Sequence, residues 1–136
     1  MPRKARTAAQ RGKSNRQTGA AWERECAQLL RPWWPTLKRT SQASNGTGLP
    51  CPDLEPAPVW IECGKTSGPL TVAYYEEKLA QARNDRREAR DRRPILLMLL
   101  CARQRWVGFE ITFGESCCLL PMTHIGSVVD VHLDGS

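Results

Sequence analysis

Seven consecutive apolar residues, Ile95-Leu-Leu-Met-Leu-Leu-Cys101, follow Pro94 and a stretch dominated by arginine. That is strand length, and an apolar run without alternation is the pattern of a strand covered on both faces. Helices must therefore flank whatever sheet contains it. The segment before it, about Val72 to Arg92, reads as a long helix with Tyr75, Leu79 and Ala82 as a thin apolar stripe. Ala102-Arg103-Gln104 then turns the chain into a second strand, Arg105–Thr112. An earlier apolar and β-branched run, Val59–Cys63, supplies a strand ahead of the helix. Strand, helix, strand implies a crossover, hence a mixed sheet flanked by helices. With 136 residues, 40% hydrophobic and 25% charged, the chain reads as one soluble domain.

The strand at Val59 also carries the chemistry. Cys51-Pro52-Asp53-Leu54 precedes the proline-rich turn Glu55-Pro56-Ala57-Pro58, and Val59-Trp60-Ile61-Glu62-Cys63-Gly64-Lys65 follows it. A hairpin of this kind puts Asp53 and Glu62 on neighbouring strands with their carboxylates close. Two carboxylates repel unless a cation lies between them, and hard oxygen ligands suit Mg²⁺, with Mn²⁺ as a substitute. A nearby lysine can orient or deprotonate an attacking water, or offset charge on phosphorus.

Charge is distributed unevenly. The formal net charge is +6, and residues 1–16 hold Arg3, Lys4, Arg6, Arg11, Lys13 and Arg16 with no acid. The excess is a basic arm, with residues 17–136 as the folded domain. Such an arm binds polyphosphate by releasing counterions; the plainer reading is a solubilising tail. Arg83 to Arg93 holds six arginines against three acids, which reads first as a solvated helix face and second as a grip on duplex backbone. No run is long enough to span a membrane and no secretory signal is visible, so a cytoplasmic location is expected. The six cysteines include no C-x-x-C pair, and His124 and His132 lie far from paired cysteines, so reduced thiols are expected rather than zinc.

Ahead of the hairpin, Thr18-Gly19 opens a helix that Pro32 closes, with Trp22, Cys26, Leu29 and Leu30 as its core stripe and Glu23 at the stripe's edge. Thr36 to Thr40 reads as a short strand carrying Arg39. Ser41 to Gly48 is a small, polar loop suited to connection or to phosphate contact. At the other end, Cys117-Cys118-Leu119-Leu120 and Val128-Val129-Asp130-Val131 suggest an edge strand or a dimer surface.

Pro52-Asp53, Glu62 and Lys65 resemble the PD-(D/E)xK nuclease signature, and Gly19-Ala-Ala-Trp-Glu23-Arg24 resembles the first-helix motif of archaeal-type Holliday junction resolvases, which phages also carry. The order of parts agrees over roughly residues 12 to 110. The resemblance implies a restriction-endonuclease-like α/β fold, with a mixed central sheet flanked by helices, and a Mg²⁺-dependent endonuclease acting on branched DNA, in the host cytoplasm if phage-encoded. It implies Asp53, Glu62 and the Cys63 carbonyl as metal ligands, and Glu23 as a ligand of metal or water. Arg39 and Ser41 would assist catalysis, with Ser44 competing for the second role, and Gln81 would be the helix glutamine near the site. Symmetric cutting of two strands implies a homodimer. The alternatives are a nuclease on ordinary duplex or single-stranded DNA, and a non-catalytic DNA-binding protein on the same fold.

One departure concerns the lysine. The signature has one residue between Glu and Lys, whereas Cys63 and Gly64 both intervene here. In a regular strand Lys65 points away from Glu62. Either a bulge at Gly64 re-aims Lys65, or a lysine from elsewhere, such as Lys38 or Lys78, takes its place, or the site is impaired.

Overall fold

The structure, a computed structural model, describes residues 8–40, 48–112 and 116–134. Arg3, Lys4, Arg6, Ser41 and Ser44 lie outside them. The elements run α1 (Ala8–Leu30), β1 (Lys38–Arg39), β2 (Leu54–Glu55), β3 (Trp60–Thr66), α2 (Val72–Glu88), β4 (Ile95–Cys101), β5 (Gln104–Thr112), β6 (Ser116–Pro121), a single 3₁₀ turn (Met122–His124) and α3 (Ile125–Asp134). All six strands form one mixed sheet in chain order; β3 and β4 are parallel and every other pair is antiparallel.

The apolar run at Ile95 becomes β4 with the expected limits, lying between β3 and β5 and covered on both sides. Leu96 and Met98 face the layer made by Trp22, Cys26 and Leu30 of α1 with Val128 and Val129 of α3. Ile95, Leu97, Leu99 and Cys101 face Leu79 and Ala82 of α2. The domain is thus three layers, and an unbroken apolar strand is what its middle layer requires. The indole N–H of Trp22 donates to the carbonyl of Met98 at 3.0 Å, which ties α1 to that layer.

Several expectations are corrected. Helix α1 begins at Ala8 rather than Thr18, so its backbone carries Arg11, Lys13 and Arg16. Helix α2 starts where expected, capped by the Thr71 hydroxyl, which accepts from the N–H of Tyr74, but it ends at Glu88. Arg90 there adopts a left-handed backbone, φ 55°. Cys117 to Leu120 falls in the edge strand β6, but Val128 to Val131 is helical: Ile125, Val128 and Val129 recur at i, i+3 and i+4 against the α1-side core, and that burial overrides β-branched propensity.

The arginine run is not simply a solvated face. Arg86 and Glu110 are buried, 4% and 0% exposed. They form an ion pair that also takes in Arg83 and the N–H of Ile95, the last at 2.9 Å. Burial alone would raise the Glu110 pKa, yet the hydrogen bonds from Arg86 and Ile95 hold it below the usual carboxylate range. Arg93 bridges Asp91, Glu55 and the carbonyl of Ala57, locking the end of α2 to the β2–β3 hairpin.

Candidate active site

The hairpin forms as the sequence suggests. Leu54 pairs with Ile61, and the N–H of Asp53 donates to the carbonyl of Ile61 at 2.8 Å. The carboxylate of Asp53 then accepts from the N–H of Cys63, also at 2.8 Å. Glu62 lies beside it, its Oε1 accepting from the indole N–H of Trp60 at 2.9 Å. Trp60 and Glu62 are two apart on one strand and so share the α2 face. That alternation was the available sequence signal for Trp60.

The two carboxyls are close enough to interact strongly, and burial makes their charge costly. Burial, reinforced by the charge of Asp53, raises the Glu62 pKa to about 8. Asp53 is also raised, by burial first, with the Cys63 N–H opposing and the Glu23 charge adding to the shift. Near neutral pH the pair shares one proton, because two charges cannot stand side by side there.

A pH dependence follows. Between the ordinary glutamate pKa of 4.5 and about 8, the folded chain keeps a proton on Glu62 that the unfolded chain has lost. Stability in a metal chelator is expected to fall as pH rises through that window. Thermal melts from pH 5 to 8.5 read it; the slope should flatten in Glu62→Gln, and an unchanged slope in that variant would contradict the assignment.

Backbone parity places a third oxygen. The N–H of Trp60 donates to Pro94 and the carbonyl of Thr66 accepts from Ala102. Even-numbered residues of β3 therefore bond toward β4, and Ile61, Cys63 and Lys65 bond toward the opposite edge. Ile61 meets β2 there; beyond it no described strand covers the edge. The Cys63 carbonyl thus opens on the same side as the Asp53 carboxylate. Two hard carboxylates and a carbonyl, with a proton shared where positive charge is wanted, fit a divalent cation such as Mg²⁺ or Mn²⁺. Among the described residues no group of three His, Cys, Asp or Glu side chains is arranged to hold a metal. Glu23 enters instead as a neighbouring charge, felt by Asp53, with its carboxylate taken by Arg39 Nε at 2.7 Å. The Cys63 thiol points into the α1-side core beside Cys26, and burial pushes its pKa up. Gln81 is exposed on α2 and joins none of these contacts.

The bulge expected at Gly64 does not form. From Trp60↔Ile95 to Thr66↔Cys101 the register of β3 on β4 is unbroken. Lys65 therefore faces α1, where Glu25 feels its charge, and not the face of Glu62. Residue 64 does share that face, but a Cβ there would lie 2.8 Å from the Tyr74 hydroxyl and 2.9 Å from Leu99. No side chain fits. The aliphatic stem of Lys78 passes 3.4 Å from the same point, with its ammonium over the Tyr74 ring and its charge felt by Asp53. Helix α2 thus brings a lysine to the position that the strand leaves bare. Lys38, by contrast, is exposed on β1 opposite Glu55.

A cavity of about 500 Å³ opens at this edge, lined by Gly19 of α1, residues 63–67 of β3 and its following turn, and Lys78 of α2. Comparison with protein-family models, curated proteins and solved structures finds no match to this chain.

Proposed function

We propose that the chain is a divalent-metal-dependent endonuclease that hydrolyses phosphodiesters in branched DNA, on a restriction-endonuclease-like fold. The observation that carries this reading is the proton-sharing pair of Asp53 and Glu62 beside the open Cys63 carbonyl, with Lys78 brought over Gly64. The fold reading is supported by the order of parts: a helix with Glu23, an acid-bearing hairpin, and a parallel crossover from β3 through α2 to β4.

Asp53, Glu62 and the Cys63 carbonyl would hold the cation. When bound, it lowers the pKa of a water and neutralises charge on the phosphate. Lys78 positions the nucleophilic water and stabilises charge gathering on the nonbridging oxygens. Glu23 holds a water rather than the metal, and Arg39 holds Glu23 by Nε while its Nη groups remain available to phosphate. Tyr74 seals one side of the Lys78 stem. Paired nicks need two sites facing one junction, so a C2 homodimer belongs to this reading.

The test is incubation with Mg²⁺ of a labelled four-way DNA junction beside a linear duplex and a single strand of the same sequence. Paired nicks on the junction alone are expected. Equal cutting of the duplex would assign a general nuclease, and tight junction binding without cutting in Mg²⁺ or Mn²⁺ would leave only a DNA-binding protein.

A further inference from the structure

We infer that the cavity at the open edge of β3 is a second phosphate site, in which Lys65 holds a backbone phosphate next to the one attacked. The identity of the ligand rests on the nuclease reading; the cavity's preference for an anion does not. Its charged lining residues are two lysines that enter from opposite faces of the strand, Lys65 from the α1 face and Lys78 from the α2 face. Neither forms an ion pair among the described residues. The acid that feels Lys65, Glu25, is already held by Arg105 through two bonds of 2.7 and 2.9 Å. Two lysines lining one space, with no carboxylate among its described lining residues, favour an anion between them.

The other donors agree with a phosphate. By the parity that exposes the Cys63 carbonyl, the N–H of Lys65 points out of the same edge. Ser67 and Thr66 also line the space; the Thr66 hydroxyl accepts from the N–H of Gly68 and keeps its own O–H to donate. Ammonium, backbone N–H and hydroxyl together are the donors that grip phosphate oxygens. At about 500 Å³ the space lies within the roughly 300–1,000 Å³ of ligand clefts, enough for more than one phosphate group. Cys63 is common to both places: its N–H holds Asp53, and it lines the cavity. A strand of DNA laid along the β3 edge would therefore meet the carboxylate pair with one phosphate and Lys65 with a neighbour. That gives Lys65 a role without the strand bulge that the catalytic role demanded.

The experiment is metal-free binding of a fluorescent single-stranded oligonucleotide to the full chain, followed by anisotropy over a salt series, with wild type, Lys65→Ala, Lys65→Arg and Lys78→Ala. Lys65→Ala is expected to weaken binding several-fold and to reduce the slope of log affinity against log salt by about 0.7, the value for one phosphate contact on a single strand. Lys65→Arg should restore it. A neutral methylphosphonate placed at successive positions should weaken the wild type at one position where it leaves Lys65→Ala unaffected. Wild-type affinity and slope in Lys65→Ala, or a loss with no positional dependence on the methylphosphonate, would overturn the second site. Because no cleavage is measured, a protein that binds as expected but never cuts would sink the nuclease reading and spare the pocket.

Discussion

Lys78→Ala is expected to lower the rate of metal-dependent DNA cleavage by about 10²–10⁴-fold, the usual contribution of a positioned acid–base or charge-stabilising group. Binding of the same DNA should weaken at most several-fold, because Lys78 lines the phosphate cavity together with Lys65, so its main effect is on the chemical step. Lys65→Ala should show the reverse pattern, weaker binding with the chemical step preserved. The contrast comes from strand geometry. An unbroken β3 register puts Lys65 and Glu62 on opposite faces, and Gly64 has no room for a side chain, so the α2 lysine is the cation that reaches the carboxylate face. Single-turnover rates with saturating protein separate the two effects. Full activity in Lys78→Ala together with a dead Lys65→Ala would mean that the lysine reaches the site by a route that the register excludes.

Arg86→Ala is expected to cost about 3–5 kcal/mol, which is a large share of the roughly 5–15 kcal/mol that holds a domain of this size together. Glu110 is fully buried, and Arg86 is the partner whose bonds most offset the cost of burying its charge, beside those from Arg83 and the N–H of Ile95. The neighbouring positions Arg87 and Arg92 are exposed, and their replacement should fall within about 0.5 kcal/mol. Replacing the pair together, Arg86→Met with Glu110→Leu, should recover part of the loss, short of the whole because the N–H of Ile95 then lacks its acceptor. Urea unfolding of the four proteins checks the series. A loss below about 1 kcal/mol in Arg86→Ala would show that the buried pair contributes little.

Much of the fold was legible because the pattern had physical causes that act locally. The apolar run at Ile95 gave a doubly covered strand, the prolines at 56 and 58 gave the turn, and the turn brought Asp53 against Glu62. What escaped reading depended on contacts distant in sequence. Val128 and Val129 are good strand formers, yet their spacing with Ile125 matched a helical stripe against a core that only the folded sheet supplies. Arg86 looks like its neighbours in sequence; only the proximity of Glu110, across the crossover, makes it internal. The spacing of Glu62 and Lys65 showed that a bulge was needed to align them; that β3 carries none, and that Tyr74 and Leu99 fill the space above Gly64, depends on packing that the spacing does not contain. Glu23 lies close enough for Asp53 to feel its charge, but its partner Arg39 comes from a strand of two residues whose position depends on the hairpin.

The most direct measurement is titration of the full chain with Mn²⁺ at pH 7, following free Mn²⁺ by electron paramagnetic resonance and proton release by a weakly buffered indicator, for wild type and Asp53→Asn. The expected result is saturable binding accompanied by release of close to one proton per site, since the proton that Asp53 and Glu62 share must leave when a cation takes its place. Both signals should be lost or strongly weakened in Asp53→Asn. Absence of binding at millimolar Mn²⁺, or binding that is the same in Asp53→Asn and releases no proton, would contradict a metal centre at this pair and with it the nuclease built on it.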